Sequence, residues 1–320
     1  MAPDPSLRNT LPFNASVDIG LDAPSQISKL VSSHPNLKVY TRASPSFQDL
    51  KHIWNLNYQK NDPLAMIRAT NSSDFSTVVK FCSESDLPLS IRSGGHDLWG
   101  RSVVHDAIIL DIRELNQITL SEDKKSVTIG GGTQAGALVD LLDKHGLVTP
   151  STLAGDVGHI GWAFMGGFGP FVNTFGLGVD QIISAKIVTA DGVERIASNE
   201  LLWGIKGAGG AFGVLTEVTF KTYSLPKLLG GMLVFKFDEA PTIVEKLQEL
   251  VGSGTLPNAL SLGTYLAKRG GQPMLNISFS WSSGDFEEGQ KWLNKIKSLG
   301  MVMMDMVSES KHDCTKYSPD

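Results

Sequence analysis

Two glycines and a histidine follow an apolar run in the segment RSGGHD, residues 92–97. The run predicts a strand over Leu87 to Arg92, and small residues after a strand let successive backbone N–H groups converge on one anion. His96 places one imidazole beside this bare backbone. The segment therefore predicts an anion-binding turn whose candidate members are Arg92, Ser93, Gly94, Gly95, His96, Asp97 and Gly100.

Three further glycine clusters lie downstream, at 130–133, 155–169 and 207–213. Glycine lets backbone approach a ligand closely, but it also serves ordinary turns and bulges. For any single cluster, a turn is the simpler explanation. The four clusters together favour a long, extended cofactor that lies against bare backbone.

The common nucleotide and hydrolase motifs are missing. The sequence has no GxGxxG, and no glycine is followed by lysine as the Walker A loop requires. GxSxG and HExxH are also absent, which removes the two commonest hydrolase signals. These absences weaken a Rossmann or NTPase interpretation and leave a backbone nest as the phosphate-binding device.

Composition narrows the class of partner. The 320 residues include 28 Lys and Arg against 33 Asp and Glu, a net charge of −5. No basic surface is therefore predicted for nucleic acid or an anionic membrane, and a small-molecule substrate is expected. The first twenty residues lack a basic start followed by an apolar core, and no apolar run reaches the ~20 residues of a membrane span. A cytoplasmic protein is expected, and the two cysteines imply neither a disulfide framework nor a metal set.

The elements that position these residues are helices and strands mixed without strict alternation, which predicts an α+β fold. A helix is predicted from an N-cap at Ser73 to Ser85, with the stripe Phe75, Val78, Val79 and Cys82 in the core. The stretch 155–178 shows little periodicity, and Trp203, at helical spacing with apolar neighbours, is predicted to be core. After a boundary near Tyr223, strands and two amphipathic helices predict a sheet covered on one face and open on the other.

Three motifs resemble, in order and spacing, the flavin-binding domain of the vanillyl-alcohol oxidase / p-cresol methylhydroxylase (PCMH) superfamily. They are IRSGGHDLWGRSV at 91–103, VGHIGWAFMGGFGPFVNTFGLGVDQIISAKIVTADG at 157–192 and NELLWGIKGAGGAFGVLTEVTF at 199–220. The sequence looks most similar to the berberine bridge enzyme-like oxidases, such as 6-hydroxynicotine oxidase. The resemblance implies an N-terminal extension over 1–37, a PCMH-type two-subdomain FAD-binding domain over 38–223 and a partial substrate-binding domain over 224–320.

The resemblance also implies roles for matched residues. In this family the histidine of the SGGH turn bonds covalently to the 8α-methyl group of FAD, and the matching residue is His96. Many plant members add a cysteinyl link, but Ala154 occupies that place, so a single attachment is expected. The other matched cofactor-binding residues are Val157, Gly158, Gly161, Trp162, Gly166, Gly213 and Val214. His159 either faces flavin or substrate, or is a satisfied polar group beneath a loop, and both interpretations stay open.

The activity that the resemblance implies is that of an oxidase. A hydride passes from a small alcohol, amine or secondary metabolite to the flavin while a base takes a proton, and O₂ then yields H₂O₂. No motif marks the base, and Tyr265, on a predicted strand of the open sheet face, is only a weak candidate. Two alternatives stay open: a non-redox cyclase on the same scaffold, and an inactive flavin-binding product. The second arises because family members usually extend further, so the chain resembles one cut short within its second domain.

Overall fold

The first sheet carries the RSGGHD turn at the end of one strand. The computed structural model describes residues 23–310; the leading segment, His312 and Cys314 lie outside the described residues. The strands of this sheet are β1 (Lys38–Thr41), β2 (Ala65–Arg68), β3 (Leu89–Arg92) and β4 (Ile108–Asp111), in the order β1-β2-β4-β3. β4 pairs parallel with β2 and β3, and β1 pairs antiparallel with β2.

Helices cover both faces of the first sheet. Apolar residues of α1 (Ala23–Ser33) and α3 (Ser72–Glu84) join its larger core, and Phe47 of the short α2 (Phe47–Leu50) joins the smaller core behind it. The predicted stripe of α3 is buried, as expected. Its N-cap is Asn71 and not Ser73, because the Asn71 side chain accepts a hydrogen bond from the backbone N of Asp74 at 3.1 Å.

Cys82 is core, as predicted. The side chain is buried on α3, and burial raises the pKa of the thiol to about 12. The thiol is therefore protonated and unreactive at neutral pH, because only the thiolate is a strong nucleophile.

The second sheet is antiparallel and lies beside the remaining glycine clusters. Its strands, in the order β5-β6-β10-β8-β9, are β5 (Ile118–Leu120), β6 (Ser126–Gly130), β8 (Ile182–Val188), β9 (Glu194–Ile196) and β10 (Val214–Lys221). Outside it, β7 (Leu147–Val148) pairs with β11 (Tyr223–Ser224). Three helices share its core: α4 (Ala135–Lys144), α5 (His159–Phe164) and α7 (Asn199–Ala208). The stretch 155–178 is less irregular than expected, since it contains α5 and α6 (Val172–Phe175).

Trp203 is not a core residue, contrary to the sequence-based prediction. It lies on α7 and is 80% exposed, whereas Ile205 on the same helix is fully buried. Two residues along a helix correspond to a rotation of about 200°. Because Ile205 faces the second sheet, Trp203 faces away from it.

The third sheet is antiparallel and begins at Leu228. Its strands, in the order β13-β14-β12-β15 with β16 also on β12, are β12 (Leu228–Lys236), β13 (Leu260–Arg269), β14 (Gln272–Trp281), β15 (Val302–Asp305) and β16 (Ser308–Ser310). One face is covered by α8 (Ala240–Gly252) and α9 (Phe286–Lys297), as predicted. Among residues 23–310, no helix combines the length and the apolar character needed to cross a membrane.

The segment after α5 joins the third sheet to the other two. The Asn173 side-chain amide on α6 donates to the Leu260 carbonyl at 2.7 Å, and the Thr174 hydroxyl lies 2.5 Å from that of Ser282. Phe175 stacks on Tyr223 with ring centroids 4.3 Å apart. The contacts of Asn173 and Thr174 hold the third sheet against the segment that also carries the middle glycine motif, and Phe175 ties this segment to β11.

Candidate functional site

The turn after β3 packs directly against residues 156–158 of the middle glycine motif. A Cβ on Gly94 would lie closer than 3.0 Å to backbone atoms of Asp156, Val157 and Gly158. A Cβ on Gly158 would in turn meet the side chain of Ser93. Real Cβ atoms essentially never approach so closely, so both positions need glycine. Bare backbone here serves a contact between two chain segments, and the ligand contact expected from the sequence stays a prediction.

A third glycine cluster joins the same place. The Ser93 hydroxyl donates to the Gly131 carbonyl at 3.3 Å, and the His159 backbone N donates to the Thr133 carbonyl at 3.0 Å. The Val157 carbonyl also accepts a hydrogen bond from the backbone N of Ala135 at 2.9 Å. Three of the four predicted clusters therefore meet around the RSGGHD turn.

The fourth cluster lies at the end of α7. A Cβ on Gly209 would contact Met165, the neighbour of Gly166. Gly213 has φ +147° and no room for a side chain against the Val188 carbonyl, while Val214 is buried in the core of the first sheet. The structure gives Gly213 and Val214 a packing role, and their contact with a cofactor stays a prediction.

His96 is held between two neighbours that the sequence analysis did not identify. Its Nε2 lies 2.8 Å from Oδ2 of Asp156. Trp54 stacks on the imidazole with ring centroids 5.7 Å apart and planes inclined by 23°. The His96 side chain is 16% exposed, so it is accessible from one side only. The contact with Asp156 has a single signal in the sequence, which is the acidic residue in the segment GDVG.

Arg92, the first residue of the turn, is a buried cation. Its guanidinium donates to the His52 carbonyl, but Nε and Nη1 have no partner within residues 23–310. Burial lowers the pKa of Arg92 to about 10, with a smaller contribution from Arg113. A Cβ on Gly95, where φ is +77°, would be 3.4 Å from Arg92 Nε. Unpaired guanidinium donors beside a glycine turn suit an anionic ligand.

Asp97 and Gly100 close the turn. Burial raises the pKa of Asp97, but hydrogen bonds from Arg101, at 2.6 Å from its backbone N and 3.0 Å from Nε, outweigh this and keep the pKa below its usual value. Gly100 has φ +68°, and a Cβ there would collide with the ring of Tyr58. These contacts within the protein explain both residues.

Bare backbone faces open space at Gly161 and Gly166. A Cβ at either position would have no atom within 4 Å, and φ at Gly166 is +107°. Between them, Trp162 is fixed because its Nε1 donates to the Phe168 carbonyl at 3.0 Å. Of the glycines predicted to bind cofactor, these two leave the most room for a ligand.

His159 lies beneath this segment and is fully buried. Its ring sits 5.3 Å from that of Trp162 and 4.9 Å from that of Phe220. Neither ring nitrogen has a partner among the described residues, and burial lowers the pKa to about 3. The structure does not supply the hydrogen bonds that the satisfied polar group would need, and a contact of His159 with flavin or substrate stays a prediction.

A cavity of about 270 Å³ lies between the segments that flank α5 and the open face of the third sheet. Thr152, Leu153 and Phe168 line one side, and Tyr265 lies on the other. None of the lining residues is Asp, Glu, His, Lys or Arg. The side chains that line the cavity are therefore all apolar or hydroxyl-bearing.

Tyr265, the weak candidate for the base, faces this cavity. Its hydroxyl contacts Sδ of Met232 at 2.8 Å, and burial raises the pKa of the phenol. The phenol is therefore protonated at neutral pH. A protonated hydroxyl is better suited to donate a hydrogen bond to a substrate than to remove its proton.

Comparison with known proteins identifies the domain that contains this site. Residues 63–197 match the FAD binding domain family. The chain is a homologue of FAD-linked oxidoreductases. It is 36% identical over 312 residues to the FAD-linked oxidoreductase aurO of Gibberella zeae, covering 96% of this chain and 61% of the relative. It is 34% identical over 204 residues to (R)-6-hydroxynicotine oxidase of Paenarthrobacter nicotinovorans, covering 62% and 43%.

The fold comparison agrees with this result. The solved 6-hydroxy-D-nicotine oxidase of Arthrobacter nicotinovorans matches with a TM-score of 0.77 and 26% identity, over 85% of this chain and 61% of that one. The fold is the α+β, two-subdomain FAD-binding fold that the sequence analysis expected, followed by an antiparallel sheet with helices. The chain spans less than two thirds of the length of these relatives.

The residues around the turn fit an FAD. Arg92 offers unpaired buried donors for phosphate, and Gly161 and Gly166 leave room for a large group. Buried hydroxyls without a partner in the described part of the chain also lie on neighbouring segments, at Thr133, Thr149 and Ser151. Buried polar atoms are normally paired, so these three favour a polar ligand.

Proposed function

We propose that the chain is the flavin-carrying part of an oxidase acting on a small alcohol, amine or secondary metabolite. Bound FAD would accept the hydride, and O₂ would take up the electrons to give H₂O₂. The observation that carries this proposal is the position of the cavity. Its wall at Thr152 and Leu153 belongs to the segment that continues into Asp156 and Gly158, so substrate and cofactor would be bound side by side.

The proposed cofactor is FAD attached once, through His96. The partly exposed imidazole and the adjacent cation Arg92 support this assignment. No second, cysteinyl link is expected because Ala154 stands at the corresponding place. Residues 38–223 would form the FAD-binding domain and 224–320 part of the substrate domain, since the third sheet supplies Tyr265 and the far wall of the cavity.

The cavity lining supports an uncharged substrate. Burying a charge without a partner is costly, and no lining residue carries one. A substrate with an apolar body and a hydroxyl or neutral amine would find apolar contacts and a donor in Tyr265. Tyr265 would then be a substrate-binding group, and the base stays unassigned.

Acid precipitation and peroxide detection test the proposal together. Wild-type protein should carry FAD into the acid pellet and release H₂O₂ with a neutral alcohol or amine. His96→Ala should leave its flavin in the acid supernatant. Free FAD from wild-type protein would contradict the attachment, and a loaded protein that gives no peroxide across a panel of neutral substrates would contradict the oxidase activity.

A further inference from the structure

A carboxylate on the facing segment is placed to orient His96. Asp156 Oδ2 lies 2.8 Å from His96 Nε2, although the Asp156 side chain is itself 67% exposed. The backbone of Asp156 is fixed on two sides, because its carbonyl accepts from Gln134 Nε2 at 3.0 Å and packs against Gly94. The contact with His96 is thus built into the meeting of two glycine motifs.

This contact determines which nitrogen of His96 is free to react. Two lone pairs facing each other at 2.8 Å would repel, so this contact with a carboxylate oxygen favours the tautomer that carries its hydrogen on Nε2. In the neutral imidazole the lone pair is then on Nδ1. Trp54 stacks on the same ring and limits its rotation.

We propose that Asp156 is a positioning residue for the covalent attachment of FAD at His96. The inference rests on the proposed attachment and assigns it a second residue. Asp156 holds the tautomer in which Nδ1 attacks, and its charge stabilises the positive imidazole that forms as the new bond is made. The proton on Nε2 then has an acceptor 2.8 Å away.

The atoms and electrons of this step balance with dioxygen as oxidant. The bond formed joins Nδ1 to the 8α carbon, and the bonds broken are one C–H of the 8α-methyl group and the N–H of the imidazole. Two electrons pass through the flavin ring to dioxygen. With the two protons released, dioxygen becomes hydrogen peroxide.

Variants of Asp156 distinguish the covalent attachment of FAD from its binding before attachment. Asp156→Ala removes an exposed side chain and leaves no buried cavity, so we expect the protein to fold and to bind FAD. The 320-residue protein, prepared under riboflavin limitation, would be mixed with FAD in air, and flavin in the acid pellet would be followed over time. We expect D156A to lower the initial rate about 100-fold, at the low end of acid–base contributions. Total flavin bound before acid treatment should stay at the wild-type level.

Two further variants serve as the rescue and the control. Asp156→Glu keeps the carboxylate and should restore most of the rate, which a purely structural role of Asp156 would not predict. Asp238→Ala removes a carboxylate that is 78% exposed and lies beyond the FAD-binding residues, and it should behave as wild type.

The possible outcomes distinguish the proposed role of Asp156 from the proposed attachment at His96. Equal rates in D156A and wild type would overturn the role of Asp156 and leave attachment at His96 intact. Loss of bound flavin before acid treatment in both D156A and D156E would also overturn it, because the residue would then shape the pocket. Wild-type protein that never pellets flavin would overturn the attachment and, with it, the role of Asp156.

Discussion

At the scale of single residues, the glycines of the site divide into two kinds. Gly94 and Gly158 permit one chain segment to touch another, whereas Gly161 and Gly166 leave open space. The two kinds predict different consequences of added bulk. A side chain at the first kind disturbs the fold and the site together. A side chain at Gly161 disturbs only what binds there, whereas one at Gly166 also strains the backbone, because φ is +107°.

Gly94→Ala should therefore lower both stability and flavin content. The added methyl group meets backbone that cannot rotate away, at a cost of about 1–3 kcal/mol. In Gly161→Leu the added Cβ has no protein atom within 4 Å, so the unfolding midpoint should not fall below that of wild type while flavin content falls. Urea unfolding measures the stability of the two variants, and the ratio of flavin to protein absorbance measures their flavin content. Wild-type flavin content in Gly161→Leu would show that the cofactor does not approach this position.

His159 makes stability depend on pH. Its pKa is about 3 in the folded protein, against an ordinary value of 6.5, so below pH 6.5 the unfolded chain binds a proton that the folded chain does not. Stability from this group is full above pH 6.5 and is lost as the pH falls toward 3. Between pH 7.5 and 5, wild type should lose about 2 kcal/mol more than His159→Phe, which keeps a ring between Trp162 and Phe220. Identical pH profiles in urea unfolding would show that His159 is not buried in its neutral form.

At the scale of elements, α7 provides a direct test of which face is buried. Trp203→Ser should change the free energy of unfolding by no more than about 0.5 kcal/mol, because the side chain is exposed. Ile205→Ala, two residues along, should cost about 2–5 kcal/mol because it empties a fully buried site. Denaturant unfolding of the two variants measures the contrast. A larger loss for Trp203→Ser would restore the original prediction that Trp203 is core.

The elements that could be predicted are those with regular hydrophobic spacing. The stripe of α3 has such spacing, and it was predicted with an error of one or two residues at its start. In contrast, α5 was missed because its buried residues His159, Ile160, Ala163 and Phe164 are separated only by a glycine and a tryptophan, so no polar residue marks its outer face. The turn at His96 was predictable from local sequence. Its partners Trp54 and Asp156 were not, because only the folded chain brings them to it.

At the scale of the whole molecule, cofactor and substrate contacts come from different parts of the chain. The residues around His96 lie on the first two sheets and their connections, and the far wall of the cavity lies on the third sheet. The contacts of Asn173 and Thr174 hold these parts together. The sequence order alone does not predict this arrangement, because the cavity depends on how the third sheet docks.

This division predicts that cofactor binding and turnover can be lost separately. Tyr265→Phe removes a hydroxyl whose contact in the folded protein is the thioether of Met232, so stability and flavin content should match wild type. With a neutral substrate identified by peroxide release, kcat/KM should fall about 10–100-fold, the loss expected when a substrate group is left without its hydrogen-bond donor. Tyr40→Phe on β1, on the first sheet, is the matched control and should leave kcat/KM unchanged. If Tyr265→Phe instead lost flavin as Gly94→Ala does, the third sheet would have to contact the cofactor itself, and the assignment of the cavity to the substrate would be wrong.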